Sequence, residues 1–142
     1  MFGWFKKKVD PNAEEKEQLA LDASYTMLMV QFDLGSWTDN ADAMKRLMTP
    51  FAMGYIFGFA DAQLQKAGVA DEGRCIACLT IVHMRLFDND KGSRLFGHSL
   101  KIQSDSGFNQ GRKLGGEEVY RWFTEKDFVP LGLSDYLRGP DS

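Results

Sequence analysis

Apolar residues along this chain recur at three- and four-residue steps, the period of an α-helix, and nowhere alternate long enough to suggest a half-buried strand. The densest run is FAMGYIFGFADAQL at 51–64. Phe51, Tyr55 and Phe59 fall at four-residue steps, and Met53, Phe57, Ala60 and Leu64 cover a neighbouring face. Gly54, Gly58 and Ala62 share that spacing and form a ridge with almost no side chain. A helix that is apolar nearly all round is buried by several partners, in its own chain or in another. The run is shorter than the roughly 20 apolar residues a bilayer span needs, and it contains Asp61. It is expected as the central helix of the fold.

The flanking patterns supply the other elements. Asp10-Pro11 and the Asn12…Glu15 pair start a first helix that ends near Gly35, with Leu21, Tyr25, Leu28 and Phe32 as its apolar stripe. Thr38 or Asp39 is expected to cap a short helix ending at Met48. Thr49-Pro50 suits the cap and first turn of the central helix, which stops at Lys66-Ala67-Gly68. Asp71 caps the next helix, whose stripe is Cys75, Cys78, Leu79, Val82 and Leu86. Beyond Asp88-Asn89-Asp90 a further helix is expected over about 91–103, with a strand at 98–103 as the alternative. The stretch SDSGFNQGRKLGG at 104–116 reads as a polar loop, because glycine disfavours helix. Residues 117–126 read as a compact helix with Val119, Trp122 and Phe123 facing inward, and Ser134 as the cap of a last turn carrying Tyr136 and Leu137. The expected fold is all-α: one compact helical bundle of about five or six helices over 1–142, with 1–10 a flexible or packed N-terminal arm.

Composition agrees with one such domain: 142 residues, 44% hydrophobic and 13% aromatic, supply ample core. With 17 basic and 20 acidic residues the net charge is −3, so no broad basic surface for nucleic acid is expected. The start MFGWFKKKVD reverses the charge order of a secretory signal, and its apolar part is too short for one. The expected location is therefore cytoplasmic. Phe2, Trp4 and Phe5 followed by Lys6, Lys7 and Lys8 offer a weak membrane-surface contact through 1–8. Packing of these aromatics on the domain or a neighbour is favoured over it, since stable attachment takes more than one weak signal.

The sharpest chemical string is Cys75-Ile76-Ala77-Cys78. A CxxC pair near a helix N-terminus supports dithiol–disulfide exchange when its thiol pKa is lowered. Here no strand precedes it and both cysteines lie on the apolar stripe, so packing is the stronger reading. His83 stands eight residues beyond Cys75, a rise of about 12 Å and roughly 80° around a helix, which cannot gather zinc ligands. Asp88-Asn89-Asp90 resembles the opening of a calcium loop, but the sixth and twelfth positions are Ser93 and Ser99. The stretch around Gly107, Asn109, Gly111, Arg112 and Lys113 matches no phosphate-binding fingerprint, and Ser93, His98 and Asp105 form a triad on paper only. No metal and no cofactor are expected.

Two functional expectations follow, with a third behind them. The first is a non-catalytic cytoplasmic interaction protein (an adaptor, regulator or inhibitor) that binds a protein partner or self-associates as a homodimer through Tyr55, Phe59 and the Gly54–Gly58 ridge. The second is a module for a small apolar or amphipathic ligand, with a pocket beside Gly54, Gly58, Asp61 and Ala62. The third is a dithiol redox protein using Cys75 and Cys78.

Overall fold

The computed structural model describes residues 12–140, and among these every regular element is a helix. The seven helices are α1 (Ala13–Leu34), α2 (Ala41–Leu47), α3 (Pro50–Lys66), α4 (Glu72–Leu86), α5 (Asn89–Lys101), α6 (Ser106–Thr124) and α7 (Gly132–Arg138). The all-α expectation holds, with seven helices among the described residues where five or six are expected. The N-terminal arm at 1–10, with its membrane-contact reading, lies outside the described residues.

Most helix starts follow side-chain chemistry visible in the sequence. Thr49 accepts a hydrogen bond from the Ala52 amide with Pro50 opening α3, and Asp71 and Asp88 do the same for Arg74 and Lys91 at α4 and α5. Gly68, at φ +82°, turns the chain out of α3 as expected of a residue following a helix end. The short helix α2 is capped by Asn40, not by Thr38 or Asp39: its side-chain oxygen accepts from the Asp42 and Ala43 amides. No strand forms at 98–103; those residues close α5 and the turn after it.

The main correction concerns 104–116. This stretch is the first half of α6, capped by Asp105, whose carboxylate accepts from the Phe108 amide. Its glycines are what hold it against α3. A Cβ at Gly111 would stand 1.9 Å from the Phe51 carbonyl oxygen, and one at Gly115 2.4 Å from that of Tyr55. In the other direction, a Cβ at Gly54 would stand 2.0 Å from the Phe108 oxygen and one at Gly58 2.1 Å from the Arg112 oxygen. The paired positions rise together, so the two helices run parallel, backbone against backbone. The hydrogens that replace the side chains face carbonyl oxygens, an arrangement in which weak Cα–H···O contacts form. Tertiary packing thus overrides the poor helix propensity of glycine.

Around this pair the core closes. Leu28 and Phe32 of α1, Ala43 and Leu47 of α2, Tyr55 and Phe59 of α3, Val82 of α4, Val119 of α6 and Leu133 and Leu137 of α7 are buried together. Through them runs one polar chain. Gln31 donates from Nε2 to the Tyr55 hydroxyl at 3.0 Å, and that hydroxyl donates to Glu118 Oε1. Both end members also accept from the start of α7. Glu118 Oε1 takes the Gly132 amide at 3.0 Å, and Gln31 Oε1 takes those of Leu133 and Ser134 at 2.9 and 3.1 Å. The expected Ser134 cap does not form. Ser134 lies inside the first turn with its hydroxyl bonded to the Leu131 carbonyl, and α1 and α6 supply the cap. Burial, with the charge of Glu118 added, drives the Tyr55 phenol well above its ordinary pKa, so it remains a donor.

The glycine contact makes a graded prediction for urea unfolding. Gly111→Ala and Gly58→Ala force a methyl group into a backbone carbonyl and should each lose about 3 kcal/mol or more. Gly97, in the interior of α5, has nothing within 4 Å of a Cβ. Gly97→Ala should therefore gain about 0.5–1 kcal/mol. Equal effects at the three positions would overturn the account.

Candidate functional site

Where α3 and α6 diverge from their glycine contact toward solvent, they leave an open groove of about 900 Å³. Gly58, Asp61 and Ala62 line one wall, and Arg112, Gly116 and Tyr120 contribute to the other. Asp61 is half-buried, and its Oδ2 accepts from Gln65 Nε2 at 2.9 Å. Burial pushes the Asp61 carboxyl above the ordinary range, against the Gln65 hydrogen bond and the positive charge of Arg112. The Arg112 guanidinium itself donates to Asn109 Oδ1 at 3.0 Å. Lys113 stands 3.9 Å from Glu117, a loose surface pair that contributes little stability.

Of the residues singled out in the sequence, this groove brings together Gly58, Asp61 and Ala62. Gly54, Tyr55 and Phe59 are elsewhere. Gly54 is covered by the Phe108 carbonyl, and Tyr55 and Phe59 are wholly enclosed by the chain's own core, Phe59 resting near Trp122. None of these three presents a surface to a second copy.

Sequence reasoning missed the neighbouring surface. At the ends of α3 and α6, Lys66 Nζ sits 4.7 Å from the centre of the Tyr120 ring and 5.6 Å from that of Phe123. Phe123 does not face inward: 58% of it is exposed, as is 59% of Tyr120. Across from them on α1, Leu19 is 62% exposed. Leu19 and Phe123 flank a second groove, of about 380 Å³, whose rim also carries Lys66. Lys66 therefore stands between the two grooves. A signal for this was present, since Phe123 is eight residues beyond Gly115, about 80° round the helix from the face that meets α3.

The two cysteines are free, and their environment opposes thiolate formation. Burial, reinforced by the negative charge of Glu17, pushes the Cys78 thiol up to about 11. Burial followed by surrounding carboxylates raises Cys75, whose Sγ donates to the Val69 carbonyl at 3.3 Å. His83 is buried too. Its Nδ1 bonds the Leu79 carbonyl at 2.7 Å, its ring lies 5.1 Å from that of Phe96, and its Nε2 has no partner. Burial lowers its pKa and keeps the imidazole neutral. Among the described residues no helix is long and apolar enough to cross a membrane.

No protein-family model matches the chain, and neither a curated protein nor a solved structure does.

Two measurements check this electrostatic picture. In the native protein near pH 7, both thiols should react with a thiol reagent far more slowly than a free cysteine, and reach its rate on unfolding. Fast reaction of either thiol in the native state would contradict the burial argument. For His83 the folded pKa lies below the unfolded value of 6.5. Below that value the unfolded chain takes up a proton that the folded chain refuses, so stability falls as pH drops and recovers as pH rises. Urea unfolding between about pH 7.5 and pH 5 should show this loss. His83→Gln should reduce the slope, and an unchanged slope would remove His83 as its source.

Proposed function

We propose that this chain is a non-catalytic cytoplasmic interaction protein, an adaptor, regulator or inhibitor, whose partner surface is centred on Lys66. One observation carries the reading. Among the described residues, the three most exposed large apolar side chains, Leu19, Tyr120 and Phe123, all border this lysine. Isolated exposed apolar residues need no explanation, but a contiguous apolar cluster marks an interaction surface, and its aromatic members are of the type enriched at interfaces. Tyrosine and lysine at such a place bury apolar area while keeping a polar end in water. The partner is a different protein or a second copy of this chain. The raised thiol pKa values weigh against the dithiol reading.

A second reading has its own observation. The groove beside Gly58, Asp61 and Ala62 exists, and its volume falls within the range of small-molecule sites. Its walls hold a half-buried carboxylate opposite an arginine, so of the apolar or amphipathic ligands expected from the sequence it suits one that carries polar groups.

The partner reading is tested by affinity capture from the source cell extract, together with the native mass of the purified chain. Phe123→Lys and Leu19→Lys should each lose a partner, or dissociate a dimer, by more than about tenfold. Arg94→Glu, on α5 and outside the surface, should leave binding intact. Equal binding by all three variants would sink the reading.

A further inference from the structure

The groove between α1, α3 and α6 is apolar and lies against the first half of α1. Ala20 and Ala23 of α1 and Ala67 after α3 line it together with Leu19 and Phe123. The alanines leave room above them, and Leu19 and Phe123 stay 62% and 58% exposed.

The segment that precedes α1 in the chain, MFGWFKKKVDP, lies outside the described residues, and its sequence matches this surface in composition, charge and reach. Phe2, Trp4 and Phe5 are side chains that bury large apolar areas. Lys6, Lys7 and Lys8 come next, and α1 opens with the exposed Glu14 and Glu15. Glu15 stands one turn before Leu19 on the same face of the helix. Acid followed by apolar along α1 therefore mirrors base followed by aromatic, reading backward from Asn12. Asp10-Pro11, between the two, is turn chemistry and suits a chain that doubles back along α1. Leu19 lies about 10 Å from Asn12 at the helical rise. The stretch from Phe5 to Asn12 spans up to about 23 Å when extended. A tethered segment also meets its groove at an effective concentration on the order of millimolar, an advantage that no free occupant shares. A second copy is the poorer fit, because a two-fold contact centred on Lys66 sets the two lysines against each other.

We propose that residues 2–8 dock on this groove of their own chain and cover it. Phe2, Trp4 and Phe5 pack against Leu19 and Phe123, and the three lysines lie beside Glu14 and Glu15. Because the groove shares Leu19, Lys66 and Phe123 with the partner surface, a partner has to displace the arm. That competition rests on the interaction reading, whereas the docking does not.

The experiment compares backbone amide spectra of the full chain, labelled with ¹⁵N, with those of the same chain carrying Phe2→Ser, Trp4→Ser and Phe5→Ser. The signals of Leu19, Ala20, Ala23, Ala67 and Phe123 should differ between the two, and those of α5, which lines no part of the groove, should coincide. Added to a chain that already carries Phe123→Lys, the triple substitution should move none of them. Glu15→Lys should lower the ratio of docked to free arm about threefold. Differences that disappear on dilution would overturn the proposal by assigning the contact to two copies. Coincident spectra would overturn it as well, and binding of phosphatidylglycerol vesicles by the full chain but not by the variant would then place the arm on a membrane. Coincident spectra alongside partner loss in Phe123→Lys would sink the docking alone. Docking without any partner that responds to Phe123→Lys would sink the interaction reading alone.

Discussion

The direct contact between the backbones of α3 and α6 is the constraint on which the other elements depend. Gly54 and Gly58 on one helix, with Gly111 and Gly115 on the other, bring the two main chains as close as missing side chains allow. That closeness fixes rotation as well as distance. With the glycine face of α6 turned to α3, Val119 falls into the core, Trp122 lies beside Phe59, and Glu118 reaches Tyr55. The same rotation leaves Tyr120 and Phe123 facing outward beside Lys66. The enclosed core and the open surface are two results of one packing choice. A bulkier interface would allow several rotations, whereas interlocked backbones allow few.

This explains what could be read from the sequence and what could not. Thr49, Asp71 and Asp88 act locally, within three residues of the amides they cap, so their roles were visible. The Gly54–Gly58 ridge is visible as spacing. Its partner was hidden, because Gly107, Gly111 and Gly115 carry the same four-residue spacing inside a stretch whose composition favours a loop. With 104–116 read as a loop the rotation of α6 is undefined, and only the apolar character of Phe123 then points it to the core. That Gly58, Asp61 and Ala62 lie together is legible because they share a helix. Leu19, Lys66 and Phe123 come from three helices, and nothing in their spacing announces that they meet.

The buried polar chain from Gln31 through Tyr55 to Glu118 shows the same non-local logic in hydrogen bonds. Glutamine and glutamate in an apolar setting are destabilising unless satisfied, and here the start of α7 satisfies them. The arrangement gives the core a single correct partner, since another apolar segment would fill the space without meeting the acceptors. Lys66 plays a contrasting part at the surface. Its charge lies over aromatic rings that would otherwise be bare, which keeps an apolar cluster compatible with water.

α7 has seven residues, fewer than an isolated helix needs to persist in water. Its opening amides are held by α1 and α6, and near its far end Arg46 donates to the Leu137 carbonyl at 3.0 Å. Both ends are thus secured by residues that leave the ribosome earlier. Gln31 and Glu118 have no α7 amides to accept from until residues 132–134 have been made. The final state of the core is therefore withheld until translation has passed nearly all of the chain described here. The last helix acts as a keystone in time as well as in space, and a ribosome that stalls before it releases a bundle with its polar seam still open.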